Sequence, residues 1–307
     1  MAKKITIKKG QLGLVAKAGD YYRVLEAGEH RLGWFNTDDV LVVSQDGSEV
    51  PGALADYLRR FQPDWVVRYC LAVDLTADEI GVLSNNGVLQ EIVPPSTRRL
   101  YWQQDAALTL QRIDTRDVRV PVDVMNAALQ PRRNGALKGR DAMLVVQVPA
   151  WHVGVVKIDG EIQALLPPGL TAYWKINHLV EAEIVDTRLQ VVEVSGQEIL
   201  TKDKVNLRLN LAANWRYSDV LLAFSQLTKP IDHLYRELQF ALREAVGTRT
   251  LDELLEDKQV IDDVVSEQVK SRMLPFGMEI ASLGVKDIVL PGDMKNILAQ
   301  LVEAEKS

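Results

Sequence analysis

Few side chains in this 307-residue sequence stand at spacings that could do chemistry. The four histidines, His30, His152, His178 and His233, lack the short intervals by which imidazoles and carboxylates converge on one zinc ion. His152 and His178 could be neighbours, although two separate core or surface histidines are the commoner outcome. Asp38-Asp39 and Asp262-Asp263 place carboxylates side by side, as acid–base catalysis would need. The first pair precedes a strand-like run, however, and the second lies on the polar face of a helix-like one. The one cysteine, Cys70, sits in the apolar run Trp65 to Val73, which reads as a strand; a small buried hydrophobe is the commoner role there than a nucleophile. No phosphate-binding loop, Gly-x-Ser-x-Gly elbow or Cys-x-x-Cys occurs. The expectation is a chain with no catalytic residue, no cofactor and no metal.

The elements around these residues repeat. Gly81-Val82-Leu83, Gly87, Pro94-Pro95, Tyr101-Trp102 and Asp114-Thr115-Arg116 are echoed by Gly154-Val155-Val156, Gly160, Pro167-Pro168, Tyr173-Trp174 and Asp186-Thr187-Arg188, with one residue gained or lost. A weaker copy opens the chain: Gly13-Leu14-Val15, Gly19, Ala27-Gly28, Gly33-Trp34 and Asp46-Gly47. Such periodicity signals an array of modules. Asn86-Gly87 and Asp159-Gly160 between β-branched runs predict tight hairpins, and paired prolines, which lack amide hydrogens, end a strand at a bend. Each module reads as a small antiparallel β unit. The Tyr-Trp pair is either a ligand platform or core, core being usual for a repeated aromatic in a β module. Asp-Thr-Arg marks either a charged site or a turn with an exposed arginine.

Composition sets outer limits. Apolar residues make up 47% and charged residues 25%, as in ordinary globular chains long enough for two or more domains. A net charge of -6 and a pI near 5.4 argue against nucleic acid as a partner. A single cysteine excludes an internal disulfide framework and fits a reducing compartment. The most apolar run, Met143 to Val156, is broken by Gln147, Pro149 and His152, far short of the roughly 20 residues a spanning helix needs. The start, MAKKITIKKG, lacks the apolar core of a signal peptide. Its lysines could touch anionic lipid or, more commonly, line a solvated edge strand.

After Asp186 the pattern becomes αβ. Val205 to Leu211 alternates as a half-buried strand, and Ser218-Asp219 reads as a helix cap. Leu234, Leu238, Leu242 and Val246 form one helical stripe that stops at Gly247. Thr250 with Glu253 is a capping box, and Val260, Ile261, Val264, Val265 and Val269 form the stripe of the following helix up to Pro275. A strand runs from Met278 to Leu290. Met294, Ile297, Leu298 and Leu301 form the apolar face of a last helix.

Glu198 to Val205 (EILTKDKV), leading into Asn214 to Asp219 (NWRYSD), resembles the core of the SPFH domain of stomatins, prohibitins, flotillins and HflK/C. Leu242 to Leu251 (LREAVGTRTL) and Phe276 to Ile280 with Gly284 to Pro291 agree, so the resemblance covers roughly residues 150–307 and is nearest to the bacterial stomatin-like slipins. Such proteins usually begin with a membrane-inserting hairpin, which has no counterpart here, and continue into a long Ala/Glu-rich helix; Glu303 to Ser307 stops where that helix would begin, as in a chain truncated there. In layout the chain is also similar to the major vault protein, with β repeats leading into an SPFH-like shoulder.

The expected fold class is α+β: β modules at 1–72, 73–143 and 144–194, an SPFH-type αβ domain at 195–291 and a terminal helix from 292. The resemblance implies a non-enzymatic homo-oligomeric scaffold forming rings or cages that organise membrane patches or enclose client proteins. The alternative is a monomeric or small-oligomer adaptor for a protease or other protein. Expected partners are further copies of the chain and a membrane surface or membrane protein, with a cytoplasmic location peripheral to the membrane. The expected oligomer interface is Met294, Ile297, Leu298 and Leu301.

Overall fold

Three two-residue turns with left-handed backbone set the pattern of the chain. Ala18-Gly19, Asn86-Gly87 and Asp159-Gly160 all have positive φ at both positions, 52° and 86°, 50° and 79°, and 52° and 86°. That geometry matches the twist of a two-residue hairpin, and glycine adopts it at no steric cost. The computed structural model describes residues 3–33, 38–133, 135–290, 292, 300 and 302–304. Trp34, a landmark of the first repeat, lies outside these residues.

Around each turn stands a set of five strands. The first set is β1 (Lys3–Ile7), β2 (Gln11–Lys17), β3 (Asp20–Leu25), β4 (Gly28–Leu32) and β5 (Asp39–Ser44), followed by β6 (Asp46–Glu49), α1 (Gly52–Phe61) and α2 (Pro63–Tyr69). The second is β7 (Cys70–Asp74), β8 (Glu79–Asn85), β9 (Val88–Val93), β10 (Arg98–Gln103) and β11 (Leu108–Asp114), followed by α3 (Val122–Leu129). The third is β12 (Met143–Val148), β13 (His152–Ile158), β14 (Glu161–Leu166), β15 (Gly169–Trp174) and β16 (Val180–Asp186). In every set the first strand pairs with the fourth, and the second lies between the third and fifth. Each hairpin carries a register shift at the same offset, between Val15/Ala16, Leu83/Ser84 and Val156/Lys157. Gly81, the third residue of β8, has no room for a side chain: a Cβ there would stand 2.7 Å from Leu110 Cδ1.

By compactness the chain divides into two units, Met1–Val146 with Leu170–Val180, and Gln147–Gly169 with Glu181–Ser307. In the first unit, Trp102 on β10 packs with Leu12, Leu14, Ala55 and Leu58 of the first set and α1. Trp174 on β15 packs likewise with Ile80, Val82 and Ile92 of the second set and with Val124 of α3. Tyr101, on the opposite face of its strand, joins Val73, Leu83 and Val93 of its own set.

The second unit holds the long strands β17 (Gln190–Leu200), β18 (Asn206–Tyr217) and β19 (Met278–Val289), antiparallel and in that order, with α4 (Val220–Gln226), α5 (Pro230–Gly247), α6 (Leu251–Glu256) and α7 (Gln259–Met273). Leu207, Leu209, Leu211, Ala213 and Trp215 alternate inward from β18 onto Leu234, Leu238, Leu242 and Val246 of α5 and Ile261, Val265 and Val269 of α7. Asp219 caps α4 by accepting the Leu222 N–H at 3.0 Å, and Thr250 Oγ1 accepts the Glu253 N–H at 3.3 Å to open α6.

Helices α1, α2 and α3 correct the all-β reading of the first half. Trp65 to Val73 was expected as a strand, yet helix runs to Tyr69 and the strand begins at Cys70. Pro63 occupies the first helical turn, where its missing N–H costs nothing, and Trp65, Val66 and Tyr69 lie at helical spacing against the core. That packing overrides the β preference of two adjacent valines.

Candidate functional site

The residues singled out for chemistry are dispersed. His30 lies 2.7 Å from the Glu26 carbonyl oxygen. The Nδ1 of His152 is 2.7 Å from the Ala150 carbonyl and its Nε2 is 3.7 Å from Asp186, whereas His178 belongs to the other unit. His233 stands 3.8 Å from Glu237, with its ring edge-on to Phe276. Among the described residues no three His, Cys, Asp or Glu side chains gather as metal ligands. Asp38 accepts a hydrogen bond from the Tyr22 hydroxyl. Asp262 does more than face solvent from α7: its Oδ1 accepts the Val285 N–H at 2.8 Å, beside the place where the register of β19 on β18 shifts. The Cys70 thiol is 8% exposed, and burial pushes its pKa up to about 12.

The repeated aromatics are core. Trp102 is 3% exposed and Trp174 is fully buried, so neither face is free for a ligand. The Asp-Thr-Arg motifs close on themselves. Asp114 accepts the Arg116 N–H at 2.9 Å and its Nη2 at 2.5 Å, and Asp186 accepts the corresponding Arg188 groups at 2.9 and 2.7 Å. These bonds from the arginine side chains hold Asp114 down to about 2 and Asp186 well below the usual carboxylate range. The threonine between them donates backbone N–H and Oγ1–H to one carbonyl: Thr115 to Asp78 at 2.8 and 2.9 Å, Thr187 to Trp151 at 2.9 and 2.6 Å. The motif is therefore a turn that pins the fifth strand to the entry of the second.

The second unit also presents a sheet face. Opposite the helices, β17, β18 and β19 carry a cross-strand polar ladder: Asn214 Nδ2 to Ser282 Oγ at 3.0 Å, Arg216 to Glu279 at 2.9 Å and Lys286 to Glu193 at 2.6 Å. Val191, Leu200 and Val289 lie exposed at its margins, Val191 at 61%. In the same unit Trp151, just before β13, carries a 68% exposed indole on a left-handed backbone, φ 66°. Such a face offers hydrogen bonds, paired charges and some apolar area.

The residues that build this unit also carry its ancestry. The profile of the SPFH domain / Band 7 family matches residues 146–307, just over half of the chain. The chain belongs to the SPFH/Band 7 family. A stomatin homologue of Pyrococcus horikoshii is 31% identical over 159 residues, 52% of this chain and 59% of that relative. Stomatin-3 of Caenorhabditis elegans is 31% identical over 176 residues, 54% of this chain and 66% of that relative. An uncharacterised protein of Archaeoglobus fulgidus is 29% identical over 162 residues, 52% and 63% of the two chains. This SPFH chain thus spans roughly six-tenths of the length of the curated relatives it matches.

The expected interface residues Met294, Ile297, Leu298 and Leu301 lie outside the described residues. Among the described residues no helix is long and apolar enough to cross a membrane.

Proposed function

We propose that this SPFH-family protein is a non-enzymatic scaffold that assembles with copies of itself into rings or cages, organising a membrane patch or enclosing client proteins. Family membership is the observation that carries the reading, since SPFH proteins are generally membrane-associated scaffolds. The serial packing of the first unit supports it. Trp102 and Trp174 each complete the core of the preceding five-strand set, so that each module depends on the next for its packing. On this reading the modules occupy 1–72, 73–143 and 144–194, the SPFH αβ domain 195–291, and a terminal helix begins at 292. The protein works peripherally at a cytoplasmic membrane face.

The stripe Met294, Ile297, Leu298 and Leu301 serves as a subunit contact. Four such side chains left in water would forgo roughly 1.5–3 kcal/mol each, a strong drive to associate. The test is Leu298→Glu with Leu301→Glu, followed by light scattering and thermal melting. A smaller oligomer with an unchanged melt is expected. Full oligomeric mass, or loss of the whole fold, removes the stripe from the interface. A parent protein that is monomeric at every concentration leaves the adaptor reading.

A further inference from the structure

We propose that the outer edge of β14 is an open docking edge, and that strand β1 of a second copy of this chain occupies it. The proposal rests on the scaffold reading above and names where two copies join.

The comparison is internal. In the first set the outer edge of β3 is covered: the Tyr57 hydroxyl oxygen lies 2.9 Å from the Tyr21 N–H it accepts, and Gln62 Nε2 donates to the Tyr21 carbonyl at 2.9 Å. In the second set, Arg132 Nη1 donates to the Leu89 carbonyl at 2.6 Å, and Ile92 N–H donates to the Lys138 carbonyl at 2.9 Å. Lys138 Nζ then closes on Glu91 at 3.2 Å. Tyr21 and Leu89 both stand second after the turn glycine of their hairpin, Gly19 or Gly87. After Gly160 the same slot belongs to Ile162, and the slot of Ile92 belongs to Leu165.

Both covers come from the segment between the fifth strand of a set and the first strand of the next, residues 45–69 and 115–142. The third set has no such segment. From Asp186 the chain passes through Thr187, Arg188 and Leu189 straight into β17 at Gln190. Among the described residues nothing donates to the Ile162 carbonyl or accepts the Leu165 N–H, and β14 has β13 as its one ladder partner. An exposed run of unpaired backbone groups is a template for another strand.

The chemistry of the two internal covers tells what fits. Gln62, Arg132 and Lys138 supply amide or cationic groups, the last against an acid on the covered strand. β14 likewise offers an acid, Glu161, at its first position. β1 reads Lys3-Lys4-Ile5-Thr6-Ile7, is already extended, and among the described residues belongs to a two-stranded sheet in which β4 covers one of its edges. Its lysines are exposed; Lys4 holds a surface pair with Glu29 at 3.3 Å that screening makes easy to exchange. A contact between β1 of one copy and β14 of the next is heterologous, so it propagates until a ring closes.

The test uses the full chain. Thr6→Cys with Gln163→Cys, oxidised and run without reductant, should give dimers and higher ladders that collapse on reduction. Crosslinks confined within single chains, or none, overturn the proposal. Charge reversal is the second arm. Lys3→Glu with Lys4→Glu, and separately Glu161→Lys, should each weaken association about tenfold while the melt is unchanged, and combining them should restore it. Leu165→Pro, which removes the outward N–H, should also dissociate the assembly. If Leu165→Pro dissociates it and the charge variants do not, another segment occupies the edge and the assignment of β1 falls. If all variants assemble like the parent, the docking edge fails while the scaffold reading stands. A parent that never assembles removes both.

Discussion

Removing the carboxylate of Glu91 should loosen the segment that covers β9. Glu91 is 7% exposed, and its two oxygens hold Arg99 Nη1 at 2.5 Å and Lys138 Nζ at 3.2 Å. Arg99 is itself largely buried; besides Glu91 it has the Tyr101 hydroxyl at 3.1 Å and Glu49 at 3.7 Å. Breaking a buried pair from one side costs about 3–5 kcal/mol because a charge is left behind. Glu49 compensates part of that here, so Glu91→Ala is expected to cost about 2–3 kcal/mol. The Lys138 ammonium is mostly in water, and Lys138→Ala should cost less than about 1 kcal/mol. Urea unfolding read by tryptophan fluorescence, with a double-mutant cycle between Glu91 and Arg99, measures both. Hydrogen exchange at the Ile92 amide, which donates to the Lys138 carbonyl, should speed up in Glu91→Ala. A loss under about 0.5 kcal/mol for Glu91→Ala, or equal losses for the two variants, would refute this account of the cover.

Three further outcomes are expected. Cys70 should resist a thiol reagent at pH 8 and react once per chain after denaturation, because burial raises its pKa to about 12; a native thiol that reacts at once contradicts its placement. The stability this raised pKa contributes is complete below the unfolded value and lost as pH rises through about 12. Gly277→Ala should destabilise the second unit by about 2 kcal/mol or more, since φ is 70° and a Cβ would strike the Asp219 carbonyl oxygen; a melting temperature within a degree of the parent would show that the turn adapts. Asp114, held near 2 by Arg116, contributes stability that is present above the unfolded carboxylate value and lost as pH falls through about 2; Asp114→Asn should remove that acid sensitivity, measured as the slope of stability between pH 4 and 2.

Hairpins were the most legible part of the fold because Asn86-Gly87 and Asp159-Gly160 act locally, within four residues. The stripe Leu234, Leu238, Leu242 and Val246 was legible for the same reason: helical period and burial coincide when a helix covers a sheet. Trp65 to Val73 misled because a local β preference competed with a proline start and a waiting core, and only tertiary packing decides such a contest. Periodicity also foretold that Trp102 and Trp174 recur, yet their destination in the core of the preceding set is long-range and leaves no local mark. Gln62, Arg132 and Lys138 are ordinary polar residues in sequence; their role as covers depends on strands some 40 positions away.

Self-assembly is the central claim, and particle size tests it most directly. Light scattering of the purified full chain across a wide concentration range, with negative-stain imaging of the same sample, should show closed particles many times the 34.4 kDa of one chain. A single 34.4 kDa species at every concentration, with no rings or cages on the grid, would contradict it.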